Sequence, residues 1–159
     1  MRKSDSLKSD WVLFLKKALL LAEKAAQEDE VPVGAVVVVD NQIVGRGYNQ
    51  REAKQNPCGH AELLALQAAA KKLGSWRLIG ATVVVTLEPC PMCLAACQQA
   101  RVSRVVYGAE DLKGGALSLG YFLNRDFRLN HRFEVIYEAF SPASEILKEF
   151  FRKKRSRHH

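Results

Sequence analysis

Long hydrophobic runs are missing from this 159-residue sequence. Trp11 to Leu15 is apolar, but Lys16 and Lys17 interrupt it before Ala18 to Ala22, well short of the roughly 20 apolar residues that a membrane helix needs. Neither a spanning helix nor a secretory leader is expected, and the expected compartment is the cytoplasm. Proline (5) and glycine (10) are few and scattered, so no linker stands out, and no internal repeat is visible. A chain of this length without a linker is expected to form one domain around one core. Cysteine is scarce too. Only Cys58, Cys90, Cys93 and Cys97 are present, and the last three fall within eight residues. In a cytoplasmic protein such crowding suggests metal binding or catalysis before disulfides.

Acidic residues are outnumbered, 17 against 24 Lys and Arg, for a net charge of +7. The imbalance is local. Residues Arg152 to His159 carry five bases and no acid, leaving 19 bases against 17 acids elsewhere. A basic tail suits a polyanion such as RNA or a membrane surface; a solvated terminus that aids solubility is the plainer reading. The expected organisation is an extension at 1–9, a folded domain at 10–151 and a basic tail at 152–159.

Ser9-Asp10 can cap a helix running to about Gln27, with an apolar stripe of Trp11, Leu15, Ala18, Leu19, Ala22 and Ala26. Val33 to Val39 is a nearly unbroken β-branched run and predicts a buried strand. Asp40-Asn41 is a turn signal, and Gln42 to Tyr48 can pair back as a hairpin arm. The polar stretch from Arg51 to Gly59 predicts a loop. His60 to Leu73 predicts a helix stopped by Gly74. Ala81 to Leu87 predicts a second buried strand, Pro91 a helix start reaching about Ala100, and Arg104 to Gly108 a short strand. Glu110 to Gly120 predicts a loop, Phe133 to Tyr137 a last strand and Pro142 to Phe151 a closing helix. Strands alternating with helices imply an α/β sheet covered on both faces, its first pair antiparallel and its later strands parallel.

Chemistry concentrates in His60-Ala61-Glu62 and Pro89-Cys90-Pro91-Met92-Cys93. Cys90 and Cys93 sit where a strand ends and a helix begins. Helix N-termini carry unpaired N–H groups and partial positive charge, which favour thiolates. A C-x-x-C there can be a claw for a borderline metal, a redox pair or two core cysteines. His60 also lies at a helix start after a loop. Two such helix ends can point to one spot beyond the strand ends, where open α/β sheets place their sites. One His and two Cys match a catalytic zinc with a fourth position left for water, whereas a structural zinc takes four protein ligands. Cys97, among alanines one helical turn after Cys93, reads as core; Cys58 remains a candidate fourth ligand. Glu62 is either a proton carrier beside the metal or an exposed first-turn glutamate that favours the helix dipole. Two residues along a helix turn through about 200°, so His60 and Glu62 converge only if the metal lies off the helix end.

His60-x-Glu62 followed by Pro89-Cys90-x-x-Cys93 resembles the cytidine/deoxycytidylate deaminase superfamily. Val31-Pro32-Val33-Gly34-Ala35, Asn49, Thr86-Leu87-Glu88-Pro89-Cys90, Asp111-x-Lys113-x-Gly115-Ala116, Asn130-His131-Arg132 and Phe150-Phe151-Arg152 resemble its tRNA-specific adenosine deaminases, over about residues 10 to 155. The resemblance implies a three-layer α/β/α cytidine deaminase-like fold with a mixed five-stranded sheet. It also implies one zinc per chain on His60, Cys90 and Cys93, and Glu62 as proton shuttle. Zinc-activated water would convert adenosine to inosine at the wobble position of a tRNA anticodon. Asn49 and the Ala61 backbone would lie against the base. Asp111, Lys113, Asn130 and the basic tail would hold the anticodon stem-loop, and the active form would be a homodimer. Two departures stand out. Cys58-Gly59 replaces the family's common Thr-Ala before the histidine, and Leu117-Ser118-Leu119 replaces a small residue and Gly-Ser. The alternatives are a deaminase of a free base or nucleotide such as guanine or cytosine, a non-catalytic RNA-binding subunit, and a redox protein using Cys90 and Cys93.

Overall fold

The computed structural model describes the backbone of residues 3–157 and the side chains from Trp11 to Arg157. In chain order the elements are α1 (Lys3–Gln27), β1 (Gly34–Val39), β2 (Gln42–Tyr48), α2 (Ala61–Leu73), β3 (Thr82–Val85), α3 (Pro91–Gln99), β4 (Arg104–Tyr107), β5 (Glu134–Tyr137) and α4 (Ser141–Arg157). The five strands form one sheet in the order β2-β1-β3-β4-β5. β1 is antiparallel to both β2 and β3, while β3, β4 and β5 run parallel. The mixed five-stranded sheet is therefore as expected.

The central strands β1, β3 and β4 are buried on both faces, while the edge strands β2 and β5 are partly exposed, and each face of the sheet has its own core. Ala35, Val37, Val83, Val85, Val105 and Tyr107 pack against Ala61, Ala65, Leu66 and Ala69 of α2 and Leu94 and Cys97 of α3. The alternate residues Val36, Val38, Val84 and Val106 pack against Trp11 and Leu15 of α1, with Phe140 ahead of α4. The β-branched run of β1 reads as unbroken because its two faces feed different helical layers.

Turn chemistry sets the hairpin. Asp40 and Asn41 take positive φ (49° and 65°), the two-residue geometry that suits the twist of paired strands. α2 ends at Gly74 in the left-handed conformation (φ 67°), whose N–H returns to the Ala70 carbonyl, a common helix stop. Pro91 opens α3, where its missing N–H costs nothing.

Three expectations need correction. α1 begins by Lys3, so Ser9-Asp10 lies within the helix rather than capping it; no Pro or Gly precedes them within the element to break it. Its buried stripe is Trp11, Leu15, Ala18, Ala22 and Ala25, with Leu19 only half-buried and Ala25 in place of Ala26, because positions 11, 15, 18, 22 and 25 follow the 3.6-residue period most closely. α4 continues to Arg157, so most of the basic run is helix, with Lys154 and Arg157 reaching Asp29 at 3.9 and 3.2 Å.

One close approach places the N-terminus of α2. Gly47 of β2 lies under the helix, where a Cβ would overlap the Ala61 carbonyl and come within 2.7 Å of Ala65 N. Gly47→Ala is expected to lift α2 from the sheet and cost about 1–3 kcal/mol. A thermal melt checks this, and an unchanged midpoint would contradict the close-packing account.

Candidate metal and catalytic site

The site forms at the sheet edge where β2 and β3 end. His60 is the residue before α2, in an extended conformation (φ −78°, ψ 147°). Cys90 holds the same place before α3 (φ −71°, ψ 169°), and Cys93 is buried in its first turn. His60 Nδ1 lies 3.6 Å from Cys90 Sγ and 3.3 Å from Cys93 Sγ. All three donor atoms lie within 4.8 Å of one another. Zn–S bonds of about 2.3 Å and Zn–N bonds of about 2.0 Å in a tetrahedron put S and N roughly 3.5 Å apart. The donors thus have the type and separation of three corners of a tetrahedral metal site.

The other two cysteines stand apart. Cys97 is fully buried in the α2–α3 core, and burial pushes its thiol up. Cys58 is exposed and is not one of the clustered ligands among the described residues.

The extended conformation of His60 resolves the helical-face problem. His60 precedes the helix, so the 200° rule does not apply, and Glu62 occupies the second position of α2 with its side chain turned inward. Glu62 is 4% exposed. Burial raises its carboxyl to about 7, against the opposing effects of its own backbone N–H, His60 and the Cys93 thiol. A carboxyl near neutrality can both take and give a proton. Cys90 moves the other way, to about 4, because the Cys93 thiol donates to it; His60 adds to the effect. As that donor, and buried, Cys93 is pushed up, while the Cys90 thiolate raises His60.

Beside the cluster is a cavity of about 180 Å³ lined by Val31, Val33, Asn49, Arg51, His60, Ala61, Glu62, Leu87, Glu88, Cys90 and Asp111. A cavity of this size, open to solvent on one side, can admit a heterocyclic base. Asn49 is buried on one wall. Its Nδ2 donates to the Val31 carbonyl at 3.2 Å and its Oδ1 accepts Arg51 N–H at 3.2 Å. One amide N–H is left over from those bonds. Ala61 opens α2, so its backbone N–H has no partner within the helix.

The expected substrate residues divide. Asn49, Ala61 and Asp111 line the cavity. Lys113 is exposed on the neighbouring loop, its N–H donating to Asp111 Oδ1 at 3.2 Å. Asn130 is exposed and lies at the opposite end of the strands: the adjacent His131 Nε2 is 2.7 Å from the Val102 carbonyl, just before β4. The chain from 110 to 133 crosses from one end of the strands to the other, and Asn130 is not among the residues that line the cavity of its own subunit. Arg51, Leu87 and Glu88 line the cavity without having been expected there. Glu88 carried a usable signal, a charge directly after a buried β-branched strand.

A family model described as MafB19-like deaminase matches residues 9–155. The chain belongs to that deaminase family. A tRNA-specific adenosine deaminase of Bacillus subtilis is 44% identical over 146 residues, 91% of each chain. One from Agrobacterium fabrum is 42% identical, covering 89% of this chain and 94% of its own. A solved structure from work on A-to-I editing by tRNA:A34 deaminases at the tRNA wobble position superposes with a TM-score of 0.79. It is 40% identical and covers 86% of this chain and 99% of its own. A guanine deaminase from Bacillus subtilis is 37% identical over 69% of both chains, with a TM-score of 0.60.

In this deaminase His60→Ala and Cys93→Ser are each expected to lower tightly bound metal, read by elemental analysis, well below one ion per chain, while Cys58→Ser and Cys97→Ala keep it. Metal loss in the Cys58 variant would contradict the three-ligand geometry.

Proposed function

We infer that this enzyme hydrolyses the exocyclic amine of adenosine at the wobble position of a tRNA anticodon, giving inosine and ammonia. The observation that carries the reading is a one-base cavity walled on one side by His60, Cys90 and Glu62, in a chain 44% identical to a tRNA-specific adenosine deaminase.

The donor set suits one zinc ion per chain, which supplies an activated water near neutral pH when bound. Glu62 accepts a proton from the attacking water and passes it to the departing nitrogen, a task that fits a carboxyl near 7. Asn49 and the Ala61 N–H orient the base. Adenosine and water go in, inosine and ammonia come out, and no redox partner is needed.

The small cavity favours a base splayed out of a single-stranded loop, with its sugar and neighbours left outside. Asp111 and Lys113 stand at the rim on that reading. The basic end of α4 docks on Asp29, two residues before the cavity-lining Val31, and its exposed Arg155 makes no ion pair among the described residues, which suits it to flanking phosphates. Such contacts weaken with salt. Arg128 is already paired with Asp126 at 2.7 Å and has less to offer.

A homodimer is part of the proposal. Leu112 (74% exposed), Tyr121, Phe122 and Phe127 (85% exposed) give the 110–133 segment an apolar surface that suits a second subunit. In a dimer Asn130 would lie free to meet RNA at the partner's cavity. No described helix is long and apolar enough to cross a membrane, and a tRNA substrate agrees with the cytoplasm.

The competing reading is a free-base deaminase, favoured by the guanine deaminase likeness. Nucleoside mass spectrometry separates the two. An anticodon stem-loop is expected to gain inosine while free adenosine and guanine are little changed; equal turnover of the free compounds would overturn the RNA assignment. Glu62→Gln is expected to keep metal and RNA binding while turnover falls about a hundredfold or more. Light scattering on the same sample should read two chains per particle.

A further inference from the structure

Glu88 is 3% exposed and lines the cavity, yet among the described residues it makes no ion pair and no hydrogen bond to the metal-ligand candidates. Its carboxylate is used up on a loop. Oε1 accepts the Asp111 N–H at 3.1 Å and the Ser118 hydroxyl at 2.7 Å, and Oε2 accepts the Ser118 N–H at 2.9 Å. Both ends of the segment from Asp111 to Ser118 are thereby tied to one side chain. The middle is closed by its own bonds: Gly115 N–H to the Asp111 carbonyl, 2.8 Å, and Lys113 and Gly114 N–H to Asp111 Oδ1, 3.2 and 3.0 Å. Gly115 permits this packing, since a Cβ there would overlap the Glu88 carboxylate. A buried carboxylate is costly unless donors surround it, and here every donor comes from that loop or its flank.

Across the cavity Glu30, 2% exposed, makes a matching arrangement. It accepts the Glu52 and Ala53 N–H groups at 3.1 and 2.8 Å, next to the cavity-lining Arg51. Both loop walls are thus held by buried carboxylates.

We propose that Glu88 is a positioning residue of the deamination reaction, which holds Asp111 at the cavity mouth by fixing the ends of the 111–118 loop. The proposal rests on the deamination reading above. Glu88 sits two residues before Cys90, but its bonds go to the loop, so its role is to place that wall of the cavity and not to move protons.

The test uses full-length, metal-loaded protein and an anticodon stem-loop RNA. Glu88→Gln keeps the shape but presents an NH₂ to one set of N–H donors. It is expected to retain one metal ion per chain, to raise hydrogen exchange at the 111–118 amides about tenfold, and to raise KM about tenfold with kcat within about twofold. Asp111→Ala should raise KM similarly, and the double variant should be no worse than Asp111→Ala alone, because both act through one contact. Unchanged amide exchange, additive KM effects, a fall in kcat at constant KM, or loss of metal would each overturn the proposal. Should Glu88→Gln fail to fold, Ser118→Ala removes the 2.7 Å bond alone and is read by the same exchange and coupling criteria. A wild-type enzyme that forms no inosine would sink the deamination reading instead, while amide exchange would still decide whether Glu88 pins the loop.

Discussion

Everything at this site depends on two helices starting within bonding distance of one metal position. His60 and Cys90 each occupy the residue before a helix, at the edge where β2 and β3 end, and Cys93 follows one turn into α3. The backbone does much of this work. α2 can lie close on the sheet because Gly47 has no side chain beneath Ala61 and Ala65. α3 starts without delay because Pro91 needs no N–H partner there. The Nδ1–Sγ separations of 3.3 and 3.6 Å result from those two packing decisions, with unpaired helix N–H groups adding positive potential where thiolates must be held.

The same packing sets the acid–base chemistry. Glu62 is carried into the interior by the first turn of α2, and its carboxyl rises to about 7 through lost solvation. A carboxyl on the protein surface would stay ionised at neutral pH and return a proton poorly. Placing it at the second helical position, with His60 outside the helix, lets both side chains face one cavity although a regular helix would turn them apart. Glu88 and Glu30 show the other use of a buried carboxylate. Surrounded by backbone N–H donors and, for Glu88, the Ser118 hydroxyl, they hold the loops beside the cavity.

Much of this was legible because local chemistry left few choices. Asp40-Asn41 determined the hairpin and its bounds. The end of α2 followed from Gly74, and the start of α3 from Pro91. The candidate metal ligands stood out because His and a Cys pair each fell at a predicted helix start, and the core role of Cys97 followed from its alanine neighbours. What stayed hidden lacked a local stop. Nothing before Trp11 breaks a helix, so the start of α1 was misplaced, and a Lys/Arg run that reads as a tail proved helical to Arg157. The path of the 110–133 segment, which brings Asn130 to the end of the sheet where β4 begins, is one that no residue between Glu110 and Phe133 announces. Spacing alone could not decide whether Glu62 faced inward, since that depended on His60 lying outside the helix.

The central claim is a metal held by one imidazole and two thiolates with a fourth position open to solvent. X-ray absorption at the zinc edge of the purified enzyme tests it most directly. Two sulfur neighbours at about 2.3 Å and two lighter ones, nitrogen and oxygen, at about 2.0 Å are expected. Three sulfur neighbours, the third coming from Cys58, would mean a closed structural site and contradict the account.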